Sequence, residues 1–265
     1  MSTCSELSVA LGEPLYATAP YAPRWLLVED PGPWGRKAVA EAGLAELEAR
    51  GKEVGVRVGL VRRFGRPSAR GPRRVFLVSC APPEPFVELL EEPDLDARGE
   101  RVEGPLYLIC TNGRRDMCCG RAGRELGRAL VPALGERLWE TTHIGGHRFA
   151  PNLVCLPHGL VYGRLDVAAA RRVVRAYDGG EVELDHLRGR TSLEPEAQAR
   201  DYFARRATGR LRLDDSPADE LQLEVAAELL EPPRPESCGG EPKQPLAWRL
   251  VSPEGHAPDY SASPR

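Results

Sequence analysis

The sequence predicts an α/β protein in which a central mixed sheet is flanked by helices and preceded by a second, smaller α/β region. Three observations carry this. Short apolar runs alternate along the chain with longer stretches of helical spacing. A similar order of elements recurs in the two halves. The 265 residues are 42% hydrophobic and 28% charged, a composition that buries a core without disulfide support.

In the first half, RWLLVE (24–29) reads as a buried strand and PGPWG (31–35) as a turn. Residues 36–49 have helical spacing at Val39, Leu44 and Leu47, with Gly51 as a stop. Residues 53–61 alternate at Val54, Val56 and Val58 and predict a strand, and RRVFLVSC (73–80) predicts another. EPFVELLEE (84–92) reads as a short helix, and the polar stretch 91–104 as a linker.

The second half opens with a strand, LYLIC (106–110). A helix over 117–134 follows, apolar at Ala122, Leu126, Leu130 and Leu134, then a strand over 137–142. NLVCL (152–156) and LVYGRL (160–165) flank a PHG hairpin turn. Helices are expected over 166–177, capped by Asp166, and over 192–207, capped by Ser192. Residues 105–178 thus run strand, helix, strand, strand, strand, helix, the order of a thioredoxin-like unit. The shorter first half fits a diverged copy of it. The chain is expected to divide into an N-terminal α/β region (1–97), this unit (98–210) and a C-terminal extension (211–265). The extension is rich in Pro and Gly, with one or two strands packed back on the core and a disordered end.

A net charge of −3 provides no basic field for nucleic acid or an anionic membrane. The first twenty residues lack the basic start and apolar run of a signal peptide, and no apolar run approaches membrane-spanning length. A cytoplasmic location with reduced thiols is expected. The seven cysteines are an odd number, which argues against a complete disulfide framework.

Three of those cysteines fall in CTNGRRDMCCG (110–120). Cys110 closes a predicted strand. Asp116 can cap the helix that follows, which places Cys118 and Cys119 in its first turn, where the helix dipole favours thiolate. The separation from Cys110 is much longer than in a redox C-x-x-C. Beyond the next strand, ETTHIGGHRFAPN (140–152) holds His143 and His147. The Gly145-Gly146 pair costs about 2 kcal/mol of helix propensity, so this segment is a loop whose amides can approach a bound group closely. Two cysteine positions and two histidines at neighbouring strand ends suggest a four-ligand site. The spacing leaves Cys118 and Cys119 as alternatives. Cys80 and Cys155 lie in apolar strands and read as core. Cys4 and Cys238 lie in turn-like surroundings without an assigned role. His158 falls in the hairpin turn, and His186 and His256 read as surface residues.

The C-x8-C of Cys110 and Cys119, the RD at 115–116, Gly120 and THIGGHRFAPN (142–152) together resemble the sucrase/ferredoxin-like family. LPHGLVYGRL (156–165), CSELS (4–8) and RWLLVEDPGPWG (24–35) add to the likeness, which runs over roughly residues 4–250. The resemblance implies a thioredoxin-like ferredoxin domain with a [2Fe-2S] cluster on Cys110, Cys119, His143 and His147. It makes Cys118 a neighbour of the cluster, alongside Arg115, Asp116, Gly145, Gly146 and Arg148. It also implies electron transfer with a redox protein partner, such as a reductase or oxidoreductase.

Two ferric ions, two sulfides and two thiolates sum to zero charge, whereas four thiolates give a dianion. The potential is therefore expected above the roughly −400 mV of plant-type ferredoxins. No dinucleotide fingerprint, P-loop or nucleophile elbow accompanies the site, and no carboxylate pair is singled out for glycoside hydrolysis. Two other readings suit the same residues. A structural Cys2His2 zinc site is one, although the spacing is not that of a zinc finger. A thiol oxidoreductase using Cys118 or Cys119 is the other.

Overall fold

The computed structural model describes residues 3–65 and 73–251. In the first half a short helix, α1 (Cys4–Ala10), precedes β1 (Arg24–Glu29), α2 (Ala38–Glu41), α3 (Ala45–Glu53), β2 (Val56–Arg63), β3 (Val75–Ser79), β4 (Phe86–Leu90) and β5 (Glu100–Arg101). The second half contains β6 (Leu106–Cys110), α4 (Met117–Leu134), β7 (Leu138–Thr141), β8 (Leu153–Leu156), β9 (Leu160–Tyr162), α5 (Val167–Asp178) and β10 (Leu187–Arg190). Helices α6 (Pro195–Thr208) and α7 (Pro217–Leu221) lead to β11 (Val225–Leu229), β12 (Arg234–Pro235), β13 (Pro242–Lys243) and β14 (Leu246–Leu250). No helix among the described residues is long and apolar enough to cross a membrane.

Both halves share one ten-stranded mixed sheet, ordered β10-β9-β8-β6-β7-β2-β1-β3-β4-β5. The order is symmetrical about its middle. Strand β1 runs parallel to β2 and antiparallel to β3, and β3 and β4 continue antiparallel. Strand β6 likewise runs parallel to β7 and antiparallel to β8, and β8 pairs with β9. The halves join where β2 and β7 pair antiparallel, with Arg62 opposite Glu140. Their side chains form an ion pair at 2.7 Å across this seam, and the Arg62 guanidinium lies 4.2 Å from the Trp34 ring centroid.

Strand β6 is buried along its whole length because both faces of the sheet are covered. Leu106, Leu108 and Cys110 point into a core that continues through Trp139 to Trp25, Phe76 and Val78. Tyr107 and Ile109 point the other way, into a core formed with α4 and α5. A separate core under α2 and α3 gathers Leu26, Val28, Val58 and Leu60.

Several expectations need correction. Residues 84–92 contain strand β4, not a helix, since β3 offers a partner in register from Val75↔Leu90 to Ser79↔Phe86. The single helix over 36–49 is two, interrupted at Gly43 with φ 81°. Gly51 does not stop the second one. It lies buried inside α3, where a Cβ would meet the Val56 carbonyl at 2.6 Å. Strand β2 accordingly begins at Val56, and the 91–104 linker carries β5. Helix α6 starts at Pro195 after Glu194, so Ser192 does not cap it. His186 is half-buried rather than on the surface. The extension supplies β11 and β14 as an antiparallel pair. The end expected to be disordered, and His256 with it, lie outside the described residues.

Candidate metal centre

The site lies at the carboxyl ends of β6 and β7. The chain leaves β6 at Cys110, and Asp116 caps α4 by accepting a hydrogen bond from the Cys118 amide at 2.8 Å. Helix α4 approaches β6 unusually closely. A Cβ on Gly123 would fall 2.1 Å from the Cys110 carbonyl oxygen, and one on Gly120 would fall 2.4 Å from the Gly113 Cα. These glycines cost helix propensity but let the first turn of α4 bring Cys119 against Cys110.

After β7 the chain makes the loop that carries both histidines. Gly145 and Gly146 take φ of 95° and 71°, which only glycine adopts in succession without strain. Two arginines, the half-buried Arg57 and the buried Arg188, fasten this loop. Arg57 donates to the His143 carbonyl at 3.0 Å. Arg188 donates to the Gly145 carbonyl at 3.1 Å and to Asn152 Oδ1 at 2.9 Å. Asn152 in turn donates to the Gly146 carbonyl at 3.0 Å. A Cβ on Gly146 would strike the Arg188 guanidinium at 2.3 Å, so the second glycine makes room for the arginine.

The four candidate ligands converge. Ligating atoms of Cys110, Cys119 and His143 lie within 4.8 Å of one another, as do those of Asp116, Cys119 and His147. Cys119 belongs to both groups, and no single group of this span among the described residues holds all four ligands. Cys119 Sγ is 3.6 Å from His147 Nδ1. The two imidazoles stack with centroids 3.7 Å apart and planes 12° from parallel.

The electrostatics suit ligation. Burial pushes His143 down to about 2, and His147, Arg57, Arg115 and Arg188 add to the effect. Burial also lowers His147, outweighing the opposing Asp116 carboxylate. Both rings are therefore neutral at pH 7, with a lone pair free to bind metal. A hydrogen bond from Cys119 is the largest cause lowering Cys110, followed after an opposing burial effect by the amides of Asn112 and Ile144 and the charge of Arg57. The same bond, with burial, raises Cys119 well above the thiol range. The contact thus favours thiolate on Cys110 and thiol on Cys119.

The other expected neighbours divide. Asp116 and Cys118 are buried beside the ligands, and Arg115 is exposed but close enough to influence both histidines. Gly145 donates its amide to His143 Nδ1 at 3.4 Å. Arg148 instead pairs with Glu13 at 2.7 Å and with Glu236 at 3.4 Å, tying the N-terminal segment and the extension to the loop. Arg57 and Arg188 were not legible in the sequence, because nothing local distinguishes an arginine that reaches inward from the many exposed ones.

The sequence profile described as sucrase/ferredoxin-like matches residues 15–189. The chain belongs to the sucrase/ferredoxin-like family. A segment is 29% identical over 86 residues to altered inheritance of mitochondria protein 32 of Meyerozyma guilliermondii, covering 29% of this chain and 30% of that protein. The likeness therefore spans less than a third of that curated relative. No solved structure matches the chain. The match to the sucrase/ferredoxin-like family includes β6, the whole of α4 and the whole histidine loop, so all four candidate ligands fall within it.

Proposed function

We propose that this chain holds a [2Fe-2S] cluster on Cys110, Cys119, His143 and His147 and serves as a one-electron carrier. The supporting observation is the convergence of two buried thiols and two neutral imidazoles at the ends of β6 and β7. A single tetrahedral zinc keeps its ligand atoms about 3–4 Å apart. The absence of a 4.8 Å group containing all four, among the described residues, favours a larger, two-metal core. When bound, such a cluster takes up and releases one electron without bond rearrangement in the protein.

The protein's own groups would tune that event. The half-buried Arg57 and the buried Arg188 are cations beside the thiol pair, and they favour a site that gains negative charge. The amides of Asn112 and Ile144 donate to the Cys110 sulfur, which acts in the same direction. Cys118 and Cys119 are both buried, so neither thiolate can reach a bulky disulfide substrate, which disfavours the thiol oxidoreductase reading. His143 is half-buried and lines a surface pocket with Arg36, Lys37, Lys52 and Arg115, against one acid, Glu48, which pairs with Lys52. Electrons would leave past this ring, and the basic rim suits a redox protein with an acidic face. The proposed compartment is the cytoplasm, whose reducing conditions suit seven free thiols.

The test is a visible and EPR spectrum of protein purified without oxygen. Red-brown protein with a paramagnetic reduced state is expected. Cys110→Ser and Cys119→Ser should each remove the colour, while Cys118→Ser should leave it. Colourless protein with zinc bound by Cys110, Cys119 and the histidines would refute the proposal in favour of a structural site.

A further inference from the structure

Cys118 shares its helical turn with Cys119 but faces a different group of residues. Its Sγ lies 3.3 Å from Cys238 Sγ and 3.7 Å from Cys4 Sγ, and Cys238 and Cys4 are 3.6 Å apart. Three thiols from α1, α4 and the loop between β12 and β13 therefore form a nearly equilateral triangle. A carboxylate oxygen of Asp116 lies within 4.8 Å of all three sulfurs. From this arrangement we infer a second, mononuclear metal site, with Cys4, Cys118, Cys238 and Asp116 as ligands and Zn²⁺ as the ion.

The spacing supports one ion rather than a disulfide. Sulfurs bound to one tetrahedral zinc at about 2.3 Å lie about 3.8 Å apart. Bonded sulfurs lie about 2.05 Å apart, and a disulfide would leave the third thiol unpaired. In contrast to the four residues of the first site, all four here fall in a single group of 4.8 Å span. The surroundings hold the set in place. Asp116 accepts from the Cys118 amide at 2.8 Å and from the Cys238 amide at 3.1 Å, so one side chain orients two of the cysteine backbones. Cys4 is fixed at the start of α1 by a reciprocal Thr3–Glu6 capping box. Cys118 also lines a surface pocket with Thr3, Ser5 and Arg121, through which an ion can enter. Thiolate and carboxylate donors in a closed tetrahedron select zinc over calcium or magnesium.

Loading replaces three S–H bonds with three Zn–S bonds and releases three protons to solvent, with no change of oxidation state. The ion would clamp the N-terminal helix and the C-terminal extension to the first turn of α4. It would thereby restrain the turn that presents Cys119.

The inference does not depend on the cluster. Full-length protein is produced with zinc supplied, purified under reductant without oxygen, and its metals are counted by mass spectrometry. One zinc per chain is expected in the wild type and in Cys110→Ser. It should fall at least tenfold in Cys4→Ser, Cys118→Ser and Cys238→Ser, with the circular dichroism spectrum unchanged. Cobalt substitution of the wild type should give the intense visible bands of a tetrahedral thiolate site, and Cys238→Ser, in a surface loop, should lose them. The inference is overturned by wild-type protein without zinc, by zinc retained in a Cys4→Ser Cys238→Ser double variant, or by a disulfide among the three under reductant. Zinc lost from Cys110→Ser but kept in Cys4→Ser would overturn it and also count against an iron cluster at the first site.

Discussion

Gly123→Ala is the most informative single change, because helix propensity and packing predict opposite signs. In an exposed helix interior, alanine is about 1 kcal/mol better than glycine. Gly123 lies in α4, where its added Cβ would meet the Cys110 carbonyl oxygen at 2.1 Å. Real Cβ contacts essentially never fall under 3.0 Å, so helix and strand must part by at least about 0.9 Å. Overpacking of this kind costs about 1–3 kcal/mol. The obstacle is backbone with no rotamer to change, so the upper end applies and the net loss is about 2 kcal/mol. Urea unfolding followed by circular dichroism should show it, with a midpoint temperature about 4–8 °C lower in a parallel melt. The displaced first turn also carries Cys119 away from Cys110, so the visible absorption of the proposed cluster should weaken more than stability alone explains. Gly127→Ala is the comparison: its Cβ would meet the half-buried Phe64 ring at 2.1 Å, and a side chain can turn aside. If Gly123→Ala proved as stable as the wild type, the close approach of α4 to β6 would not be what positions the ligand pair.

Three further outcomes are expected. Arg188→Met leaves Thr18 Oγ1, the Gly145 carbonyl and Asn152 Oδ1 without their buried donor. At about 1–3 kcal/mol per unsatisfied group, a loss of at least about 3 kcal/mol should appear in urea titrations, together with loss of the colour expected of the proposed cluster. His147→Cys should retain colour but lower the potential in a redox titration, because a third thiolate adds negative charge. His158 sits in the β8–β9 turn with Nδ1 2.8 Å from the Tyr177 hydroxyl, and burial lowers it to about 4. Between pH 6.5 and 4 the unfolded chain binds a proton there that the folded chain does not, so stability falls as pH drops through this window. His158→Asn should show a smaller loss between pH 7 and pH 5 in urea midpoints; an identical loss would count against a folded-state origin.

The legibility of the fold and the site followed the range of the interactions involved. The boundaries of β6 and α4 were readable because LYLIC and the Asp116 cap are local features. The strand at Phe86–Leu90 was not, because its apolar residues fit a helical face and only pairing with β3 decides the matter. Cys4 and Cys238 are 234 residues apart in sequence and meet only after the extension folds back, so no local pattern could join them to Cys118.

The directions in which Cys118 and Cys119 face are a different case, because the sequence did contain them. Successive helical residues differ by 100° around the axis, so neighbours cannot serve one site equally. The buried face of α4 runs back from Leu134 through Leu130, Leu126 and Gly123, and one turn further it reaches Cys119. The equivalent line from Cys118 passes the half-buried Ala122 and the exposed Glu125. Treating Ala122 as the apolar position and overlooking Gly123 left the face ambiguous. A glycine that lets a helix approach a strand marks the inward face as firmly as a leucine does, and here it directs Cys119 toward the histidines and Cys118 toward the termini.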